Sequence, residues 1–344
     1  MMNILAIETS CDDTGIALVK VNGKKQPRFR ILSNFISSQV EIHKKWGGIY
    51  PTLAKREHQN NLSIIFKKIL RQISHKRIDL IAVTIGPGLE PCLWVGINFA
   101  KDLAKKMKSP VVPVNHIEAH ILINFLNNKC ILPAICLVVS GGHTQLILTK
   151  KIGKYQILGE TRDDAAGECF DKTGRILSLG YPGGPAIAAA SQKNTGNNCI
   201  NLPRPMINQK NYDFSFSGLK TAVLYDFKNR PSRVRKSKKY IQAMAAEIQQ
   251  AVIDVLIKKT LKAAKHHGVK SIILGGGVAA NNELRKQFKK KIKKEIPYST
   301  FYIPDSKYCT DNAVMTALTG YYHRQEKKKK NLEDIEAKAG LRLK

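Results

Sequence analysis

The sequence predicts an α/β fold made of two similar halves, and three observations carry that prediction. Short apolar runs alternate with longer segments whose apolar residues recur every three or four positions. A strand–turn–strand pattern near the start returns about 130 residues later. The 344 residues are 43% apolar and 24% charged, which supports one large or two medium hydrophobic cores.

Taken in order, apolar runs at 3–8, 14–21, 79–85, 111–114, 134–140, 144–150 and 270–274 predict strands. Helices are predicted over 52–73, which Pro51 opens, and over 92–107, 116–126, 241–265 and 312–324. The echo pairs Ile4-Leu5-Ala6-Ile7-Glu8-Thr9-Ser10, leading to Thr14-Gly15-Ile16-Ala17-Leu18-Val19, with Ile135-Cys136-Leu137-Val138-Val139-Ser140, leading through Gly141-Gly142 to Thr144-Gln145-Leu146-Ile147-Leu148. Each strand ends in hydroxyl or glycine residues at a tight turn, where backbone amides suit an anion. The expected halves are 1–130 and 131–325, the second with a helical insertion, followed by a basic polar tail over 326–344 that should fray.

Lys+Arg 57 against Asp+Glu 26 gives a net charge of +31, so a polyanionic partner is one explanation and an AT-rich genome the other. The basic run 230–239 reads as a loop and 289–294 as a helix end, either solvated or gathering RNA phosphates. Seven cysteines without a C-x-x-C pair argue against a disulfide framework or a four-thiolate zinc site. No apolar stretch approaches the ~20 residues of a membrane span, and the first residues lack a signal-peptide pattern. A cytoplasmic protein with no membrane partner is expected.

His116-Ile117-Glu118-Ala119-His120 puts two imidazoles on one helix face, within reach of one ion. Zinc peptidases place their general base one residue after the first histidine, whereas Glu118 is two after, roughly 200° round the helix and facing away. Asp311 is a candidate third ligand, or else a simple N-cap of the following helix. Two histidines and an aspartate suit Fe(II) or Zn(II). Gly275-Gly276-Gly277, between a strand and a helix through Leu284 and Phe288, lets backbone approach a planar or phosphorylated ligand, without Rossmann or P-loop spacing. Asp163, Asp164 and Glu168 suit the positive end of a helix, while Asp171, deeper in it, suits ribose hydroxyls. Tyr181-Pro182-Gly183-Gly184-Pro185 reads as a rigid turn.

These blocks occur in the order seen in one family: Glu8-Thr9-Ser10-Cys11-Asp12-Asp13-Thr14, Gly86-Pro87-Gly88-Leu89, His116-x-Glu118-x-His120, Val139 to Leu146, Asp163 to Glu168, Tyr181 to Pro185, Asp213-Phe214-Ser215-Phe216-Ser217-Gly218-Leu219-Lys220-Thr221, Gly276-Gly277-Val278 with Asn281, and Cys309-Thr310-Asp311-Asn312. Over about residues 3 to 325 the chain resembles the tRNA adenosine threonylcarbamoyltransferases in their bacterial form. The resemblance implies a duplicated actin/hexokinase/Hsp70-like fold with two lobes around a nucleotide cleft. It implies transfer of a threonylcarbamoyl group from threonylcarbamoyl-adenylate to N6 of adenosine 37 of tRNA. Carried over by motif, His116, His120 and Asp311 hold one divalent metal, Fe(II) ahead of Zn(II). Val138, Val139, Ser140, Gly141, Gly142, Asp171, Gly184 and Asn281 bind the adenylate. Asp12 and Asp13 are candidates to take the amine proton, or alternatively to orient metal-bound water or cap a turn. A degenerate paralogue and a small P-loop ATPase are implied partners. Three departures stand out: Asp13 where Glu is common, Gly174 where Ala is usual, and a tail without the Arg-Pro-rich ending.

Overall fold

The computed structural model describes residues 1–23, 26–73, 77–196, 200–325 and 331–344. The basic run Lys327–Lys330 and Cys199 lie outside the described residues. The chain divides into two compact units, Met1–Cys130 with Thr310–Lys344, and Ile131–Cys309.

The first unit runs β1 (Met2–Glu8), β2 (Asp13–Asn22), β3 (Arg28–Ser38), α1 (Val40–Lys44), α2 (Pro51–Ile73), β4 (Leu80–Gly86), α3 (Glu90–Met107), β5 (Val111–Asn115) and α4 (His116–Leu122). Its sheet order is β3-β2-β1-β4-β5, with β1–β2–β3 antiparallel and β1–β4–β5 parallel. The central strands are buried on both faces, which is why Ile4 to Ile7 and Leu80 to Val83 read as unbroken apolar runs. Leu62, Ile65 and Ile69 of α2 and Leu93, Ile97 and Ala100 of α3 recur at helical spacing and pack in the same core as Leu5, Ile7 and Ile81.

The second unit runs β6 (Ala134–Val139), β7 (Thr144–Lys151), β8 (Lys154–Glu160), α5 (Ala166–Ile176), α6 (Gly183–Gln192), α7 (Ser217–Asn229), α8 (Ser232–Arg235), α9 (Lys238–His266), β9 (Ser271–Gly275), α10 (Asn282–Glu295) and β10 (Thr300–Tyr302). Its sheet order, β10-β9-β6-β7-β8, repeats that of the first unit strand for strand. The turns 9–12 and 140–143 occupy equivalent hairpins, as the echo predicts. The 29-residue α9 is the spine of this unit, with Met244, Ile248, Val252 and Leu256 fully buried.

The chain then returns to the first unit through α11 (Ala313–Tyr322), buried from Ala313 to Tyr321. A Cβ on Gly320 would lie 2.5 Å from Ala82 Cβ, so glycine lets this helix lie against β4. The boundary expected at 325 thus falls at Cys309, because the helix over 312–324 buries its apolar residues against the first sheet. The fraying tail is also corrected for residues 331–344. Ile335 is 3% exposed in the first core, and the Lys338 amide donates to Ile85 O at 2.7 Å. The run 230–239, expected as a loop, contains the short α8.

Candidate functional site

In the first unit, β5 hands directly into α4. Asn115 caps that helix, its Oδ1 accepting the Ile117 and Glu118 amides at 2.9 and 3.1 Å. His116 and His120 are one turn apart, 5% and 0% exposed, with ring centroids separated by 4.6 Å. Asp311 precedes α11, and the cap there is Asn312, whose side chain accepts the Met315 amide at 3.1 Å. Asp311 is therefore not the cap, and its Oδ1 faces both imidazoles: His120 Nε2 at 3.1 Å and His116 Nε2 at 3.5 Å. One ligand atom from each of the three residues falls within 4.8 Å of the others.

A support that sequence reading missed stands behind His116. Its Nδ1 lies 3.1 Å from Ser10 Oγ and 3.6 Å from the Glu8 carboxylate, leaving Nε2 turned to Asp311. Glu8 is fully buried and accepts from the Ser10 amide at 2.9 Å and the Thr316 hydroxyl at 3.0 Å, with the Thr84 hydroxyl on the same oxygen. Burial opposes the Glu8 charge, yet His116 outweighs it and holds the carboxyl below its usual range. Burial likewise opposes protonation of His116, but the charges of Asp311 and Glu8 push it up to about 9. His120, whose buried Nδ1 has no hydrogen-bond partner, is lowered by burial and stays neutral.

Two carboxylates, the buried Glu8 and the half-buried Asp311, against one imidazolium leave net negative charge. A divalent ion can relieve it by replacing the proton on His116. The donor set and the carboxylate-backed imidazole fit a Zn(II)- or Fe(II)-type centre. Glu118 is engaged elsewhere, its Oε1 2.8 Å from His323 Nε2.

Asp12 and Asp13 follow the same turn. The Asp12 carbonyl accepts the Gln39 amide at 3.1 Å. Asp13 begins β2 opposite Ser38, and its Oδ1 is buried with no hydrogen-bond partner. Burial, tempered by the Ser38 hydroxyl and reinforced by Asp311 and Asp12, raises its carboxyl to about 7. The Cys11 thiol is pushed well up by burial and by Asp12, so it stays protonated and is no nucleophile.

In the second unit the turn after β6 closes on itself, with Ser140 N donating to His143 O at 2.8 Å and His143 N to Ser140 Oγ at 3.1 Å. Gly141 and Gly142 are exposed, and a Cβ on either would meet nothing within 4 Å. Internal packing therefore does not demand these glycines, and the space beside them is open to a ligand. Gly167 differs: its Cβ would lie 2.6 Å from Ser140 O, so α5 can start against this turn only as glycine. The side chains of Val138 and Val139 are fully buried, which limits their part to backbone. Gly276, at φ +90°, presses on the Val139 backbone and is required there by both conformation and space.

Asp171 Oδ1 accepts the Gly183 amide at 2.7 Å, tying α5 to the start of α6. Burial raises its carboxyl, an effect the Gly183 and Gly184 amides partly offset. Gly184 has open space up to Phe170 Cβ at 4.0 Å. Asn281 caps α10 through Leu284 N at 3.0 Å, and its amide donates to Gln249 at 2.8 Å. Gly174, the departure from Ala, is required: a Cβ would lie 2.9 Å from Gly183 Cα.

Asp163 and Asp164 do not sit in the helix start as expected. Asp163 takes the Ser215 and Ser217 hydroxyls and the Phe216 amide, which anchors the Asp213–Thr221 segment. Asp164 pairs with Lys172 and Lys220. A groove of this unit, about 750 Å³ and lined by Arg204, Lys258, Lys262 and Lys291 among others, contains none of the expected residues.

Comparison with known proteins agrees with the repeated sheets and the clustered side chains. The family described as tRNA N6-adenosine threonylcarbamoyltransferase matches residues 30–318. A protein of that name from Thermosipho africanus is 49% identical over 93% of this chain and 94% of its own length. One from Syntrophomonas wolfei is 46% identical over 93% and 92%. Among solved structures, T. kodakarensis HypF superposes with a TM-score of 0.62 at 14% identity, covering 94% of this chain, which spans about half (48%) of that longer protein. The Acidaminococcus fermentans (R)-2-hydroxyglutaryl-CoA dehydratase component A gives 0.53 at 13% identity, over 96% of this chain and all (100%) of the other. These structural likenesses establish the duplicated actin/hexokinase/Hsp70-like fold. The sequence relatives establish more: the chain belongs to the tRNA N6-adenosine threonylcarbamoyltransferase family.

Proposed function

We propose that this chain transfers the threonylcarbamoyl group of threonylcarbamoyl-adenylate to N6 of adenosine 37, in tRNAs reading codons that begin with A, releasing AMP. Family membership supports the transferase reading. The observation that carries the metal-dependent form of it is the convergence of His116 and His120 Nε2 on Asp311 Oδ1. Those three residues hold the cation, Fe(II) ahead of Zn(II), and Glu8 and Ser10 orient His116. Such a cation, when bound, supplies Lewis acidity toward a phosphate or carbonyl oxygen.

The chain's own residues have separate tasks. The Gly141 and Gly142 amides hold the adenylate phosphate, with the open space beside them admitting it, while the Ser140 amide closes the turn on His143 O. Asp171, already oriented by Gly183, accepts from ribose hydroxyls, and Gly184 and Asn281 complete the nucleotide contacts. The amine nitrogen attacks the carbamoyl carbon, the bond from that carbon to the phosphate oxygen breaks, and AMP leaves with the electron pair. The amine proton passes to Asp13, whose buried, unpartnered oxygen and pKa of about 7 suit a general base, with Asp12 beside it. A degenerate paralogue and a P-loop ATPase are the proposed partners and the cytoplasm the proposed location. Among the described residues, no helix is long and apolar enough to cross a membrane.

A peptidase reading of the His-x-Glu-x-His motif lacks its base, since Glu118 is engaged by His323. The metal assignment is tested by elemental analysis of the purified protein and its His116→Ala and Asp311→Asn variants. We expect bound Fe or Zn in the parent and its loss in both variants. Equal metal content in all three overturns the assignment.

A further inference from the structure

The loop between β3 and α2 carries two large exposed aromatics that nothing in the preceding mechanism uses. Trp46 is 68% exposed and Tyr50 57%, yet their rings stack on one another at 6.0 Å with an interplanar angle of 28°. Two rings left this open to water require a reason, since solvent exposure of so much aromatic surface is unfavourable.

The loop is rigidly attached. Gln39 and His43 are fully buried, Gln39 N donates to the Asp12 carbonyl at 3.1 Å, and His43 Nε2 meets Gln39 Oε1 at 3.0 Å. Trp46 N donates to His43 O at 2.9 Å, and Tyr50 N to His43 Nδ1 at 3.3 Å. The aromatic pair therefore hangs from the same turn that carries Asp12 and Asp13. That is the end of the first sheet where β4 and β5 also terminate, and where α4 places His116. The flanking segments are basic, with Lys44 at the end of α1, Lys45 after it, and Lys55 and Arg56 in the first turns of α2 all exposed. Glu41, paired with Lys44, and the half-buried Glu57 are the nearby acids.

A pre-stacked aromatic pair flanked along the chain by exposed cations is the chemistry that recognises unpaired RNA bases, through π-stacking on the ring face and phosphate contacts beside it. On the reading given under Proposed function, we infer that Trp46 and Tyr50 form a stacking platform for an unpaired base of the anticodon loop flanking the modified adenosine. The face is open before RNA arrives, and the peg of Gln39 and His43 spares the cost of ordering it on binding.

Trp46 is one of two tryptophans, so in a Trp94→Phe background its fluorescence reports on its own face. The full chain is titrated with an RNA hairpin bearing an anticodon-type loop, and with a blunt RNA duplex of the same length. The hairpin should quench Trp46 and the duplex should not. Trp46→Ala or Tyr50→Ala should weaken hairpin binding by about 5- to 140-fold, with duplex binding and metal content unchanged. Trp46→Phe should retain most of the affinity. Equal quenching by duplex, no quenching by hairpin, or parental hairpin affinity in Trp46→Ala overturns the platform; so does loss of a co-purifying protein alone, which would make the face a protein interface. The quench needs no substitution at Trp46 or Tyr50, so it decides even if Trp46→Ala fails to fold. Modified tRNA formed at the parental rate by the double alanine variant sinks the platform and leaves the transferase standing. Loop-specific quenching with no modification under any condition does the reverse.

Discussion

Glu8→Gln tests the metal assignment at a residue that the ion would not touch. The Glu8 carboxylate is fully buried 3.6 Å from His116 Nδ1. At that separation and an effective dielectric of about 20, a complete ion pair is worth about 5 kcal/mol, which is a ceiling. An imidazole bound to a cation through its other nitrogen carries only part of a unit charge. The expected loss is therefore about 1.4–2.7 kcal/mol, or 10- to 100-fold in metal affinity, as for other carboxylates behind a ligating histidine. Folding should suffer less. The hydroxyls of Thr84 and Thr316 that now donate to Glu8 can turn to accept from a glutamine amide, limiting the cost to about 1 kcal/mol. The assay is chelator competition on the folded protein at fixed pH, with thermal unfolding as the control. A variant of parental affinity would refute the argument that Glu8 acts through His116.

Three further outcomes follow from other parts of the chain. Gly141→Ala and Gly142→Ala add a methyl to open space at unstrained backbone, so unfolding free energy should change by less than about 0.5 kcal/mol. Adenylate binding, measured by calorimetry with a non-hydrolysable analogue, should weaken by about 1–3 kcal/mol from steric overlap, and an unaffected affinity removes the turn from the site. Ile335→Ala should cost about 2–5 kcal/mol in urea unfolding, because that side chain is 3% exposed in the first core; a frayed tail would give no change. Lys259, 1% exposed against Asn211 and Phe214, is pushed down to about 8 by burial and then by Lys262. Below pH 8 the folded state bears the cost of a buried ammonium. As pH rises from 8 to the ordinary 10.5, the folded form gives up this proton before the unfolded chain does, so the cost disappears. Lys259→Met should therefore be more stable than the parent at neutral pH by at most about 3 kcal/mol, with the advantage fading toward pH 10.5. A pH-independent difference would contradict this.

What the sequence made legible, and what it did not, divides along burial. The strands at the middle of each sheet are apolar on both faces, and their observed limits lie within a residue or two of those expected. The edge strands β3, β8 and β10 escape because their exposed positions are filled by polar and charged residues, as in Arg28–Ser38. The helix α7 escapes because it opens on Ser217-Gly218 and buries only Leu219 and Val223. At the site, the two histidines were legible from their spacing, whereas Asp311 was chosen over a helix cap only by the family resemblance; the structure brings the three together as a group that could hold an ion. Glu8, Thr84 and Thr316 were not legible, since their partnership joins strands and a helix over 300 residues apart in sequence. Asp163 shows the opposite failure: an acid before a helix looks like a local device, while its hydrogen bonds reach residues about 50 positions away.

The most direct test of the central claim is mass analysis of tRNA nucleosides after incubating metal-loaded protein with threonylcarbamoyl-adenylate, unmodified tRNA and the two proposed partners. Threonylcarbamoyl-adenosine should appear among the nucleosides of the parent's product and be absent with His116→Ala or His120→Ala. Parental yield from a variant shown to be free of metal would contradict the metal-dependent account, and unmodified tRNA with the loaded parent would contradict the transferase itself.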